Sequence, residues 1–113
     1  MNFQREYPLI EHNTFGMDVK AAVFFEYTSE DELRTFLLSA DFEPFRNRFL
    51  AIGAGSNLLF QGDYDGLILH SMMRDLTVVG DEDDDVLVRV GSGYVWDDFV
   101  AWSVAGGLCG AEN

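Results

Sequence analysis

The stretch Gly53-Ala54-Gly55-Ser56-Asn57, which follows the apolar run Phe49-Leu50-Ala51-Ile52, carries the residue types best suited to holding an anion. Closely spaced glycines at the end of a strand let successive backbone N–H groups turn to one side and form a concave nest. Gly53 and Gly55 tolerate positive φ and keep a Cβ out of a ligand's path. Ser56 and Asn57 add short side-chain donors. A diphosphate is the expected guest. The loop departs from the dinucleotide-binding fingerprint, which has a third glycine three residues after the second. Leu58 occupies that slot, and the residues that follow up to Asp63 are too few for the long helix of a Rossmann crossover.

Other residues that tempt a chemical reading have simpler ones. The five acids Asp81 to Asp85 lack the glycine and terminal glutamate of a calcium loop and read as a solvated hairpin tip. Asp97 and Asp98 are neighbours on a helix, point in different directions, and belong to its first turn. His12 and His70 have no ligand cluster beside them in sequence, so no metal site is expected. His70, at a strand end, reads as a hydrogen-bonded structural residue. Cys109 has no nearby cation to lower its pKa and reads as a buried thiol. Ser92-Gly93 can be a ligand-approaching turn or a helix cap.

The loop needs a frame to hold it. Ala21 to Tyr27 reads as a strand. Ser29 and Glu32 form a capping box, after which Leu33, Phe36, Leu37 and Ala40 fall on one face of a helix. Asp41 to Pro44 ends that helix, and Phe49 to Ile52 is the next strand, giving a parallel, right-handed β-α-β unit. The anion loop therefore sits at the carboxyl end of a strand, where open α/β sheets place ligands. Leu67 to His70 reads as a further strand. Leu76 to Val79 and Val86 to Val90 read as strands around the loop Gly80 to Asp85, with Val86, Val88 and Val90 sharing a face. A helix beginning near Tyr94 or Val95 presents Trp96, Phe99, Val100 and Ser103 on one side and stops at Gly106-Gly107. The fold class is α+β, or mixed α/β.

Composition sets the outer bounds. A chain of 113 residues with 48% hydrophobic residues has enough apolar side chain for one modest packed domain, or for one small domain plus part of another. No apolar run approaches the about 20 residues needed to span a bilayer, and the amino terminus does not resemble a secretory signal. One cysteine makes no internal disulfide, which suits a reducing, cytoplasmic setting. Seven basic residues against twenty acidic ones give a net charge of −13, which repels nucleic acid and anionic lipid. The same field opposes an anionic nucleotide, and no Lys or Arg lies within several residues of the loop. Two or three aimed amides, at about 1.5–3 kcal/mol per charge-assisted hydrogen bond, can offset a salt-screened repulsion.

A wider pattern adds to this reading. His12-Asn13-Thr14-Phe15-Gly16-Met17-Asp18-Val19-Lys20-Ala21 and Gly53-Ala54-Gly55-Ser56-Asn57-Leu58-Leu59 are followed by Tyr64-Asp65-Gly66-Leu67-Ile68-Leu69 and Val90-Gly91-Ser92-Gly93 with Trp96. Gly107-Leu108-Cys109-Gly110-Ala111-Glu112-Asn113 completes the series. In this order and spacing the chain resembles the UDP-N-acetylenolpyruvoylglucosamine reductase family. The resemblance implies a vanillyl-alcohol-oxidase-type FAD-binding fold, with a first β-α-β subdomain at 1–70 and a truncated second subdomain at 71–113. It implies FAD as cofactor, NADPH as co-substrate, and reduction of an enolpyruvyl ether to UDP-N-acetylmuramate for bacterial cell-wall synthesis. By resemblance and by the amide-nest argument together, Gly53, Ala54, Gly55, Ser56, Asn57 and Leu58 are assigned to the flavin diphosphate. Asn57 either touches the ligand or braces the loop. The family's catalytic arginine, serine and glutamate lie beyond Asn113, so the expectation is a fragment with no catalytic residue, feeble FAD binding and a tendency to self-associate. Another flavoenzyme of the same fold, or an acidic protein-binding module, remains as the alternative.

Overall fold

The computed structural model describes residues 2–13, 15–53 and 59–111. The first four strands, β1 (Asn2–Pro8), β2 (Lys20–Tyr27), β3 (Phe49–Ile52) and β4 (Tyr64–Ser71), make one sheet in the order β1-β2-β4-β3. β1 runs antiparallel to β2, whereas β2 and β3 both run parallel to β4. The β-α-β unit is thus parallel as expected, but its two strands are not neighbours: β4 lies between them. β4 can do so because Gly66 to Ser71 are all buried, as a central strand covered on both faces requires.

The two faces are filled by aromatics and branched aliphatics. On one, Val23, Phe25, Leu67 and Leu69 pack with Phe36, Phe42 and Phe45. Phe36 comes from helix α1 (Glu30–Leu37) and stacks on Phe25 with ring centroids 3.9 Å apart. On the other face Leu9, Val19, Phe24, Ile52, Phe60 and Ile68 form a second cluster. Tyr7 stacks on Phe24 there, at 3.9 Å.

Local signals account for the ends of α1. Ser29 is its N-cap and accepts from the Glu32 backbone N–H at 3.1 Å. The Glu32 carboxylate reaches back to the Thr28 N–H at 2.9 Å, one residue before the usual partner of a capping box. The helix ends at Leu37, so Ala40 falls outside it and is exposed. β1 has no counterpart in the periodicity reading. Glu6, at φ 50°, breaks the alternation of that strand. Phe3 consequently packs with the α1-side cluster and Tyr7 with the opposite one, although they are four residues apart.

A second, two-stranded sheet follows: β5 (Leu76–Glu82) and β6 (Asp85–Val90), antiparallel. The expected six-residue loop is instead a two-residue turn at Asp83-Asp84, because pairing continues through Gly80–Leu87, Asp81–Val86 and Glu82–Asp85. Asp83 takes φ 56°, a left-handed conformation that aspartate tolerates better than most residues. Helix α2 (Trp96–Ala105) starts one or two residues later than expected and is stopped by a Schellman turn. Leu108 N–H donates to the Ser103 carbonyl at 2.8 Å and Gly107 N–H to the Val104 carbonyl at 3.0 Å, with Gly107 at φ 74°. Of its predicted inner face, Ser103 is buried and Phe99 and Val100 half-buried, but Trp96 is 58% exposed. Among the described residues no helix is long and apolar enough to cross a membrane.

Candidate functional site

The carboxyl ends of the parallel strands β2, β4 and β3 lie side by side at Tyr27, Ser71 and Ile52-Gly53. Ile52 is paired with His70, so Gly53 follows at the sheet's edge next to the point where the chain leaves β4. Of the six residues assigned to the diphosphate, Gly53 alone is described. Ala54, Gly55, Ser56, Asn57 and Leu58 lie outside the described residues.

Gly53 owes its identity to a close approach different from the expected one. It does not adopt positive φ; a Cβ on it would sit 2.5 Å from the Ser92 carbonyl oxygen. The main chain that comes near is that of Gly91-Ser92-Gly93, the turn between β6 and α2. That turn is tied down from the β4 side. Gly91 N–H donates to the Asp75 carbonyl and Gly93 N–H to the Met73 carbonyl, both at 2.8 Å. The Ser92 hydroxyl donates to Ser71 Oγ at 2.7 Å, and Ser71 Oγ also accepts from the Met73 N–H at 3.2 Å. Met72 N–H, in turn, donates to the Tyr27 carbonyl at 2.8 Å. A Cβ on Gly93 would collide with the Ser71 carbonyl, and one on Gly91 with that of Met73. Three glycines therefore let the end of β3, the exit of β4 and the second sheet's turn meet backbone to backbone.

Ser92 is not the helix cap that was one of its two readings. The N-cap of α2 is Val95, without a side-chain cap, and the Ser92 hydroxyl is spent on Ser71. No sequence signal pointed to Ser71 as its partner, since 21 residues separate them. A crevice of about 540 Å³ opens beyond the turn, between the hairpin and α2, walled by Val86, Val88, Phe99, Trp102, Leu108 and Cys109 among others. Cys109 is exposed, contrary to the buried thiol expected, because the chain after Gly107 runs over the surface. The acids from Asp81 to Asp85 form the exposed hairpin tip, and Asp97 and Asp98 occupy the first turn of α2.

The histidines come together, which their separation in sequence concealed. His70 is 4% exposed and its Nδ1 lies 2.8 Å from Glu26 Oε2 on β2. The His12 ring stands edge-on to it with centroids 4.9 Å apart. Tyr7 Oη is 3.2 Å from His12 Nε2. Burial, and then the neighbouring His70, hold His12 below the ordinary imidazole value of 6.5, against the opposing pull of Glu26 and Glu11. Burial beside Glu26 and Glu11 pushes the Tyr7 phenol up. No group of three or more metal-ligating side chains exists among the described residues.

A flavin nucleotide's fit to this region rests on position. The glycine run leaves β3 at the carboxyl edge of parallel strands, where ligands of open α/β sheets bind, and a second glycine turn is fixed alongside it. Comparison with known proteins gives the same direction. The FAD binding domain family matches residues 21–113. A UDP-N-acetylenolpyruvoylglucosamine reductase from Bacteroides fragilis is 51% identical over 110 residues, 97% of this chain and 32% of the relative. Reductases of the same name from Porphyromonas gingivalis and Pseudomonas putida are 38% and 37% identical over all 113 residues, each match covering 33% of the relative. The chain spans about a third of the length of the curated relatives it matches.

Proposed function

The chain belongs to the FAD binding domain family, and from that premise we propose that it is the amino-terminal, FAD-holding portion of a UDP-N-acetylenolpyruvoylglucosamine reductase. The observation that carries the reading is the 51% identity to the Bacteroides fragilis reductase across 97% of this chain. The junction of Gly53 with Gly91-Ser92-Gly93 supports it. A loop that must present amides to a diphosphate needs a fixed base, and Gly53 is clamped against the Ser92 carbonyl.

In this reading Gly53, Ala54, Gly55, Ser56, Asn57 and Leu58 receive the flavin diphosphate, with Asn57 shared between ligand and loop. Residues 1–70 form the first subdomain, residues 71–113 begin the second, and the crevice walled by Phe99 and Trp102 lies within the second. FAD would supply the hydride transfer from NADPH to the enolpyruvyl double bond. This chain's residues bind and orient, and none is given a catalytic role. The chain alone has no reductase activity, holds FAD feebly, works in the cytoplasm, and associates with itself through apolar surface. Its surface charge of −13 argues against nucleic acid or anionic membrane as partners.

A chimera tests the whole reading. Residues 1–111 of this chain replace the matching third of the Bacteroides fragilis reductase. The purified chimera is expected to carry flavin absorbance and to oxidise NADPH only when UDP-N-acetylglucosamine enolpyruvate is present. A folded but colourless chimera overturns the cofactor assignment. NADPH oxidation dependent on that substrate by the 113-residue chain alone overturns the claim that it lacks the catalytic groups.

A further inference from the structure

The amino-terminal arm consists of β1, the edge strand of the first sheet, and the 3-10 turn Ile10–His12, which lies on the face opposite α1. Beyond the β1–β2 ladder, the turn is fastened by the Leu9 N–H, which donates to the Val19 carbonyl at 2.8 Å, and by a row of side chains. The Asn13 carboxamide closes it, donating to the Leu9 carbonyl at 2.7 Å and accepting from the Met17 N–H at 2.9 Å. The His12 ring then lies on Phe24, with centroids 5.2 Å apart, against His70 and under the Tyr7 hydroxyl. His70 is held in turn by Glu26. Two imidazoles in contact form an arrangement that tolerates one added proton far better than two.

We propose that the His12–His70 contact is a pH-sensitive latch, which fastens the amino-terminal arm to the sheet at neutral pH and loosens it on mild acidification. Every charged or titratable neighbour facing His12 enters the argument: Tyr7 from β1, Glu11 from its own turn, Glu26 from β2 and His70 from β4. Burial and His70 oppose charge on His12; the two glutamates favour it less strongly. With Nε2 unprotonated, His12 accepts from the Tyr7 hydroxyl. Once doubly protonated it can only donate, and the hydroxyl must rotate to receive it. When the arm lifts, His12 returns to water and to its ordinary pKa of about 6.5. The open state therefore takes up a proton more readily than the closed one. The latch is complete above 6.5 and is progressively lost as pH falls below it toward the lowered folded value.

Amide hydrogen exchange on the 113-residue chain reads the latch directly. Protection of the β1 and Ile10–His12 amides, corrected for the intrinsic pH dependence of exchange, is compared at pH 7.5 and pH 5.5. Linkage limits the loss to about tenfold at one unit below 6.5, so a several-fold loss is expected. His12→Phe keeps an aromatic ring on Phe24 and cannot titrate, so its arm should show no corrected pH dependence across this window. Glu26→Gln removes a carboxylate that favours the charged ring, so it lowers the closed-state value further and should deepen the loss at pH 5.5 while the onset stays near about 6.5. Imidazole NMR of the unaltered chain gives a second reading that survives a variant's failure to fold. Unchanged protection in the wild type, an equal loss in His12→Phe, or a His12 titration at or above 6.5 overturns the proposal.

Discussion

At Gly53 the cost of a single methyl group can be argued from what surrounds it. An added Cβ would lie 2.5 Å from the Ser92 carbonyl oxygen, which is backbone and has little freedom to retreat. Gly53→Ala should destabilise the chain by about 1–3 kcal/mol, the usual range for forcing atoms into filled space. Gly62→Ala is the control, since nothing lies within 4 Å of its added Cβ; it should stay within about 0.5 kcal/mol. Urea denaturation followed by Trp fluorescence compares the two, and equal midpoints would refute the packing account of Gly53. Phe36 stands at the other extreme of size. It is fully buried and stacked on Phe25, so Phe36→Ala should cost about 3–5 kcal/mol. A loss below about 1 kcal/mol in the same titration would mean the α1-side cluster closes around the gap.

At the scale of elements, each helix depends on one residue at its end. Ser29→Ala removes the acceptor for the Glu32 N–H and should cost about 1 kcal/mol, read as a lowered midpoint with an unchanged denaturant slope. Gly107→Ala forces a side chain to φ 74° and should cost about 1–2 kcal/mol by the left-handed steric penalty. Both of these ends were legible in the sequence, because capping is local: Ser29 with Glu32 at the start of α1, and Gly106-Gly107 after an apolar face at the stop of α2. β2 and β3 were legible for a related reason, being runs of apolar residues bounded by turn residues. What escaped depends on distant chain. β1 is an edge strand whose positive φ at Glu6 hides its period, and its pairing is supplied by β2. The placement of β4 between β2 and β3 is a choice among topologies with the same local pattern. In the site, Gly53 was legible as important, but its partner Ser92 was not; the same holds for Ser71 with Ser92 and for His12 with His70.

For the whole molecule, two long-range effects oppose each other. Net charge of −13 keeps copies apart. Against it, the second sheet and α2 expose Val78, Val79, Leu87, Trp96 and Val104, each about half or more open to solvent. Screening shortens the repulsion to about 3 Å at 1 M salt but leaves apolar burial intact. Self-association should therefore grow with ionic strength. Light scattering at fixed concentration is expected to report a larger mean mass in 500 mM NaCl than in 20 mM. A mass that falls or stays constant would show that these apolar side chains do not drive contact between copies.

The order of strands in the first sheet has a consequence for synthesis. As the polypeptide emerges from the ribosome, β2 and β3 appear before the strand that must fill the space between them. Until Tyr64–Ser71 arrives, β3 has no ladder on which to hang, and the glycines after Ile52 are tethered to a segment with no fixed position. The nascent protein thus carries all the residues proposed for the diphosphate for some time before the strand that leads into them has a place in a sheet. A translation product halted before Tyr64 would contain all six assigned residues and still be blind to FAD.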